Sequence, residues 1–253
     1  MIAPFIIFVF LGGMPLKIFT LALSIMGMYE FYKALKEKNF KPINLIGYII
    51  LVAYYLSDND FKILMSIVIL ATIICLVIPV FDLEVTFIDV ALTLLGFLYI
   101  GVFFSFIPLV EAKTNGEFYV WLIFIGSWIT DSAAFYAGKF FGKNKLCPAV
   151  SPKKTVEGSI GGLIGSAVVC GIFGFIASNF TDVISVYHFV IIGVLCGLIS
   201  QLGDLVASSI KRYVGIKDYA NIIPGHGGIL DRFDSILFSG LVIFYYLTFI
   251  VNI

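Results

Sequence analysis

Charge is what this 253-residue chain has least of. Only 13% of its residues are Asp, Glu, Lys or Arg, 60% are hydrophobic, and the mean hydropathy is +1.07. A soluble domain carries about a quarter charged residues, so an ordinary globular core is excluded and lipid is the expected solvent. Histidine is scarcer still. With only His188 and His226, the chain has no material for an imidazole-rich metal cluster, and a zinc-protease motif is missing. The cysteines Cys75, Cys147, Cys170 and Cys196 form no C-x-x-C pair, and three lie in apolar runs. They read as packing residues rather than a disulfide or zinc framework. There is no low-complexity tail, linker, soluble domain or clear repeat. Ser–His–Asp and dinucleotide fingerprints are absent, and GKFFGKN lacks the spacing and the Ser or Thr of a phosphate-binding Walker loop. The formal net charge is zero, and no nucleic-acid partner is expected.

What is present is apolar sequence in runs of about 20 residues, long enough to cross about 30 Å of hydrocarbon as helix. Spans are expected at residues 15–35, 43–56, 61–81, 88–110, 118–137, 156–177, 186–209 and 235–251. Residues 1–12 rise only about 18 Å as helix, too little to span alone. They are either a first helix that starts upstream or one that packs obliquely, and without a basic lead-in they are not read as a cleaved signal. The expectation is an all-α polytopic membrane bundle of about nine transmembrane helices. Residues 1–115 are poorer in polar side chains and read as scaffold; residues 116–253 read as the catalytic half.

The basic residues orient the bundle. Thirteen fall on one side: Lys33, Lys36, Lys38, Lys41, Lys139, Lys143, Lys145, Lys153, Lys154, Lys211, Arg212, Lys217 and Arg232. Only Lys17, Lys62 and Lys113 fall on the other. The positive-inside rule makes the first side cytoplasmic.

Polar chemistry gathers on that side. In GKFFGKNKLCPAVSPKKTVEG, Ser151 is expected to cap a helix with Pro152 at its first position. Lys153 and Lys154 then oppose the helix dipole unless a phosphate sits there; the alternative is contact with anionic headgroups. On the helix over 186–209, Ser200, Gln201, Asp204, Ser208, Lys211 and Arg212 share about 120° of arc at 100° per residue. An aspartate inside a membrane helix must be paired, metal-bound or wet, and Asp131 poses the same problem. In DRFDS, Asp231 and Asp234 form a third group, with Asp234 either a helix cap or a catalytic carboxylate. The glycines around His226 let backbone amides approach a ligand, and His226 itself is a general base or a simple hydrogen-bond partner. Carboxylates from three helices with Lys and Arg around them suit a divalent, magnesium-like metal and phosphate groups.

The stretch from Ser208 to Asp234 resembles the signature of phosphatidate cytidylyltransferases, also called CDP-diacylglycerol synthases. The matching residues are Ser208, Ile210, Lys211, Arg212, Lys217, Asp218, Pro224, His226, Gly227, Gly228, Ile229, Asp231, Arg232, Phe233 and Asp234. Asp131 in TDSAAFYAGKFFGKNKL, the SPKKTVEG of residues 151–158, and Gly203–Asp204 match further parts. The likeness is strong over about residues 120–240 and is only one of hydropathy before that; a basic lead-in to the first helix is missing. It implies transfer of a cytidylyl group from CTP to phosphatidate at the cytoplasmic face of an inner membrane, by a homodimer embedded in membrane lipids. On this reading Asp204 and Asp231 are the principal ligands of Mg2+, with Asp131 and Asp234 close behind and a second cation beside it. Ser151, Lys153, Lys154, Thr155, Ser208, Lys211, Arg212, Lys217, His226, Gly227 and Gly228 would bind substrate. A CTP-dependent polyprenol or phytol kinase and a transporter of phosphate-bearing anions are the alternatives.

Overall fold

The computed structural model describes residues 2–57, 60–220 and 227–253. In chain order these form α1 (Ile2–Leu11), α2 (Gly13–Lys36), α3 (Asn44–Leu56), α4 (Phe61–Phe81), α5 (Phe87–Gly96), a π-helical turn (Phe97–Val102) and α6 (Phe103–Glu111). Then follow α7 (Gly116–Phe141), an antiparallel hairpin of β1 (Lys145–Cys147) and β2 (Ser151–Thr155), α8 (Val156–Ala177), α9 (Val186–Val214), α10 (Leu230–Tyr246) and a second π-helical turn (Leu247–Val251). Six helical stretches among the described residues are long and apolar enough to cross a membrane: Lys62–Phe81, Phe87–Glu111, Gly116–Phe141, Val156–Ala177, Val186–Val214 and Leu230–Val251. The chain is therefore a multi-pass membrane protein. The count of nine is not reached on those criteria. α1 and α3, with 10 and 13 residues, rise about 15 and 20 Å, and α2 carries Lys17, Glu30, Lys33 and Lys36.

The chain divides into two compact units, each discontinuous. One comprises residues 1–16, 106–210 and 232–253; the other comprises 17–105 and 211–231.

The first unit is organised by small residues. A Cβ on Gly161 would fall on the Cβ of Ala137, one on Gly165 would lie 2.6 Å from that of Ala133, and one on Gly158 would lie 2.7 Å from the carbonyl of Ala134. The glycine face of α8 thus lies directly on the alanine face of α7. Close backbone approach of this kind is how helices associate where lipid removes the hydrophobic driving force. Another face of α8 exposes Ile160, Ile164, Val168 and Phe175, an apolar surface suited to acyl chains. α9 joins the same way: Gly197 lies against Leu163, and Cys196 fills the notch at Gly126. Cys170 and Cys196 are buried and unpaired, as packing residues should be. Ser127 Oγ lies 2.8 Å from both Ile123 O and Ser239 Oγ, and its contact with Ser239 ties α7 to α10.

In the second unit one buried tyrosine does similar work. The Tyr32 ring occupies the space that side chains on Gly47 and Gly96 would need, and its hydroxyl donates to Thr93 O at 2.8 Å. Asp89 and Thr86 form a capping box at the start of α5, and Asp89 also accepts the Lys41 amide at 2.5 Å. Asp60 caps α4 through the amides of Lys62 and Ile63.

Replacing Gly165 by Leu should lower the thermal unfolding midpoint in detergent, at an overpacking cost of about 1–3 kcal/mol. Ile164→Leu on the outward face should leave it unchanged. Melting followed by circular dichroism checks both, and an unshifted midpoint for Gly165→Leu would refute the seam.

Candidate active site

The start of α8 builds the first unit's polar cavity. The expected cap, Ser151, lies in β2 instead, with Pro152, Lys153 and Lys154 following it along the strand. The cap is Thr155, whose Oγ1 accepts the Gly158 amide at 3.1 Å. Two contacts make the hairpin win over an earlier helix start. The Glu157 carboxylate, well placed in the first turn for the helix dipole, accepts the amides of Lys143 and Asn144 and the Asn144 side chain. The Val156 amide in turn donates to Asn144 O at 2.9 Å. Lys153 and Lys154 consequently project from a strand rather than from a helical turn.

These lysines border a cavity of about 360 Å³ lined by Asp131, Gly138, Lys139, Lys153, Lys154, Thr155, Ser159, Gln201 and Asp204, among others. Lys154 Nζ lies 2.5 Å from Asp204 Oδ2, and Ser208 Oγ donates to Asp204 Oδ1 at 3.2 Å. Asp131 and Asp204 repel one another, and Lys154 attracts Asp131 as well. Gln201, which is 7% exposed, donates to Gly197 O at 2.7 Å and Ser159 O at 3.2 Å. Asp234 is also in this unit and is buried, its Oδ1 accepting the Ser235 amide.

The second unit holds a separate cluster. Lys211 Nζ donates to Asp231 Oδ1 at 2.7 Å, with both side chains about nine-tenths buried. Asp231 Oδ2 accepts the amides of Tyr219 at 2.9 Å and Gly228 at 3.2 Å, so the Gly228 donor is engaged within the chain. Lys211 also lies over the Tyr219 ring at 5.5 Å. Gly227 has φ +78°, the left-handed conformation that favours glycine. The carboxylate of Glu30, fully buried on α2, accepts the amides of Ile229 at 2.8 Å and Leu230 at 2.9 Å. A helix start leaves such amides without intrahelical partners. A carboxylate brought from nearly 200 residues away in sequence satisfies two of them.

The family follows from a match between residues 1–250 and the cytidylyltransferase family model. The chain belongs to the cytidylyltransferase family. It is 36% identical over 249 residues to the phosphatidate cytidylyltransferase of Bacillus subtilis, covering 92% of this chain and 89% of that one. It is 43% identical over 154 residues to the phosphatidate cytidylyltransferase of Staphylococcus saprophyticus and 42% identical over 154 residues to that of Staphylococcus aureus. Each of these staphylococcal alignments takes in 60% of this chain and 57% of the relative.

In this chain the sequence-predicted site residues divide between the units. Asp131, Lys153, Lys154, Thr155 and Asp204 line the cavity, with Ser208 bonded to Asp204. Ser151 sits at the far end of the hairpin, paired in register with Cys147. Lys211, Asp231 and Gly228 form the second cluster, while Arg212 and Lys217 are exposed. His226, with Pro224 and Gly225, lies outside the described residues. Asp234 is not a helix cap: α10 begins four residues earlier, at Leu230, because Glu30 supplies the capping acceptor. Glu30, Lys139 and Gln201 were not singled out as site residues. An isolated carboxylate in the apolar run MGMYEFY was the one signal that could have found Glu30.

Glu30→Ala strips the acceptor from two buried amides and should cost about 1–3 kcal/mol each. Glu30→Gln, which keeps one acceptor oxygen, should cost clearly less. Urea or thermal unfolding in detergent reads the order, and equal stability of all three proteins would refute the capping role.

Proposed function

We propose that this chain transfers a cytidylyl group from CTP to phosphatidate, giving CDP-diacylglycerol and pyrophosphate. The observation that carries this reading is one cavity holding two carboxylates and three lysines, in a family with relatives named for that activity. An oxygen of the lipid phosphate attacks the α-phosphorus and forms a new P–O bond. The bond from that phosphorus to the oxygen bridging to the β-phosphate breaks, and pyrophosphate leaves with its electrons. The second pKa of a phosphate monoester is about 6, so the nucleophile is already largely anionic at neutral pH and no strong base is required. What remains is to hold two polyanions together and to stabilise the charge on the leaving group. Lys139 and Lys153 are assigned to phosphate oxygens, and Lys154 is assigned to both Asp204 and the substrate.

The donor set fits a hard divalent cation. It offers two carboxylates with a serine hydroxyl nearby, and no thiolate or imidazole. Among the described residues no three His, Cys, Asp or Glu side chains converge, which suits Mg2+, an ion usually held by one or two carboxylates together with substrate phosphates. Asp131 and Asp204 would hold it, and when bound it would neutralise charge on the phosphates. Asp231, whose two oxygens already take three donors, is assigned a positioning role for Lys211, Tyr219 and Gly228. Arg212 and Lys217 are assigned to anionic groups.

The thirteen-to-three distribution of basic residues supports a cavity open to the cytoplasm of a cell's inner membrane, with CTP arriving from water and the acyl chains remaining in the bilayer. A homodimer belongs to the same proposal. The glycine face of α8 does not argue for it, because α7 occupies that face.

Purified protein given labelled CTP and phosphatidate should release pyrophosphate in a reaction stopped by chelation and restored by Mg2+. Asp204→Asn and Asp131→Asn should each lower the rate about 100-fold or more without loss of fold. Near wild-type rates in both would sink the metal assignment. CDP formed from a polyprenol acceptor, or counterflow of an anion without CTP turnover, would favour a kinase or a transporter instead.

A further inference from the structure

Gln201 stands out among the cavity residues because its amide cannot turn round. Both hydrogens of Nε2 are committed to backbone carbonyls, Gly197 O one turn back on α9 and Ser159 O on α8. Neither carbonyl can donate, so exchanging the amide's nitrogen and oxygen would set three acceptors against one another. The side chain is more than nine-tenths buried, between helices held close by the approach of Gly197 to Leu163. Its Oε1 receives no donor from any described residue, yet it is not among the sealed, unsatisfied polar atoms. The oxygen therefore opens on the cavity that Gln201 lines. A buried amide held with one polarity is a preset acceptor awaiting a donor.

Resting on the reaction proposed above, we infer that Gln201 reads the base of the nucleotide, its Oε1 accepting the 4-amino group of cytosine. The triphosphate offers acceptors only. The remaining donors of CTP are the amino group and the ribose hydroxyls. A hydroxyl both gives and accepts, so it would be served by an amide in either orientation, and a fixed orientation adds nothing. The amino group is different: uracil carries a carbonyl at that position, which would meet Oε1 oxygen to oxygen. An acceptor that cannot flip rejects UTP, whereas one that can flip accommodates it. The lock is thus the structural feature that base discrimination requires.

The wild-type protein tests this first, with kcat/KM measured for CTP, UTP, N4,N4-dimethyl-CTP and 2′-deoxy-CTP. UTP and the dimethyl analogue, which lack the donor, should be poorer than CTP by about 10- to 100-fold, and 2′-deoxy-CTP should lie within a few-fold of CTP. Gln201→Met, close in length but apolar, should reduce kcat/KM for CTP by a similar factor and leave that for UTP unchanged, closing the gap between them. An equal loss with both nucleotides would reduce Gln201 to a structural tie between α8 and α9 and overturn the inference. So would a dimethyl analogue used as well as CTP, or a variant whose altered ratio is that of CTP to 2′-deoxy-CTP. No turnover of CTP by the wild type would instead overturn the reaction itself.

Discussion

The seam between α7 and α8 sets everything in the first unit. Glycines at 158, 161, 162 and 165 let the two backbones approach until Thr130, Ala133, Ala134 and Ala137 press directly on them. That distance brings Gly138, near the end of α7, against the hydroxyl of Thr155, where the hairpin hands over to α8. A bulkier seam would push the hairpin outward and carry Lys154 away from Asp204. Packing without a hydrophobic driving force thus controls electrostatics several residues away. The glycines buried on this face are what make the basic strand part of the cavity.

Each acid drawn into an apolar setting comes with its own donors. Asp204 has Lys154 and Ser208; Asp231 has Lys211 and two amides; Glu30 has the first amides of α10. A buried carboxylate without partners costs far more than a buried pair. Asp131 differs. It is exposed to the cavity, with Asp204 as a repelling neighbour, a position suited to a ligand that brings positive charge. Gln201 differs in another way, leaving one acceptor open to the cavity.

Much of the helical outline was legible because length and apolarity are local properties. The spans over 61–81 and 156–177 match α4 and α8 residue for residue, and α9 starts where expected, at Val186. The errors fell where partners remote in sequence decide. Ser-Pro read as a helix start, but Glu157 and Asn144 hold that stretch as a strand. Asp234 read as either a cap or a catalytic carboxylate, and the first of these falls because Glu30 caps the helix from α2. The spacings Gly158–Gly162 and Gly161–Gly165 permit close helix contact, yet nothing local says that α7 covers that face of α8. Nor could composition show that both compact units draw on both halves of the chain.

The sequence by itself determined the solvent, the helical class, the crowding of cations on one side and the signature residues of the family, since each depends on residue type and spacing alone. Tertiary structure alone decided which carboxylate meets which lysine, which amides are already spent, and which end of the Gln201 amide faces the cavity. Those outcomes depend on distances between segments far apart in the chain, and a hydrogen bond or ion pair exists only once packing has brought its two ends within about 3 Å.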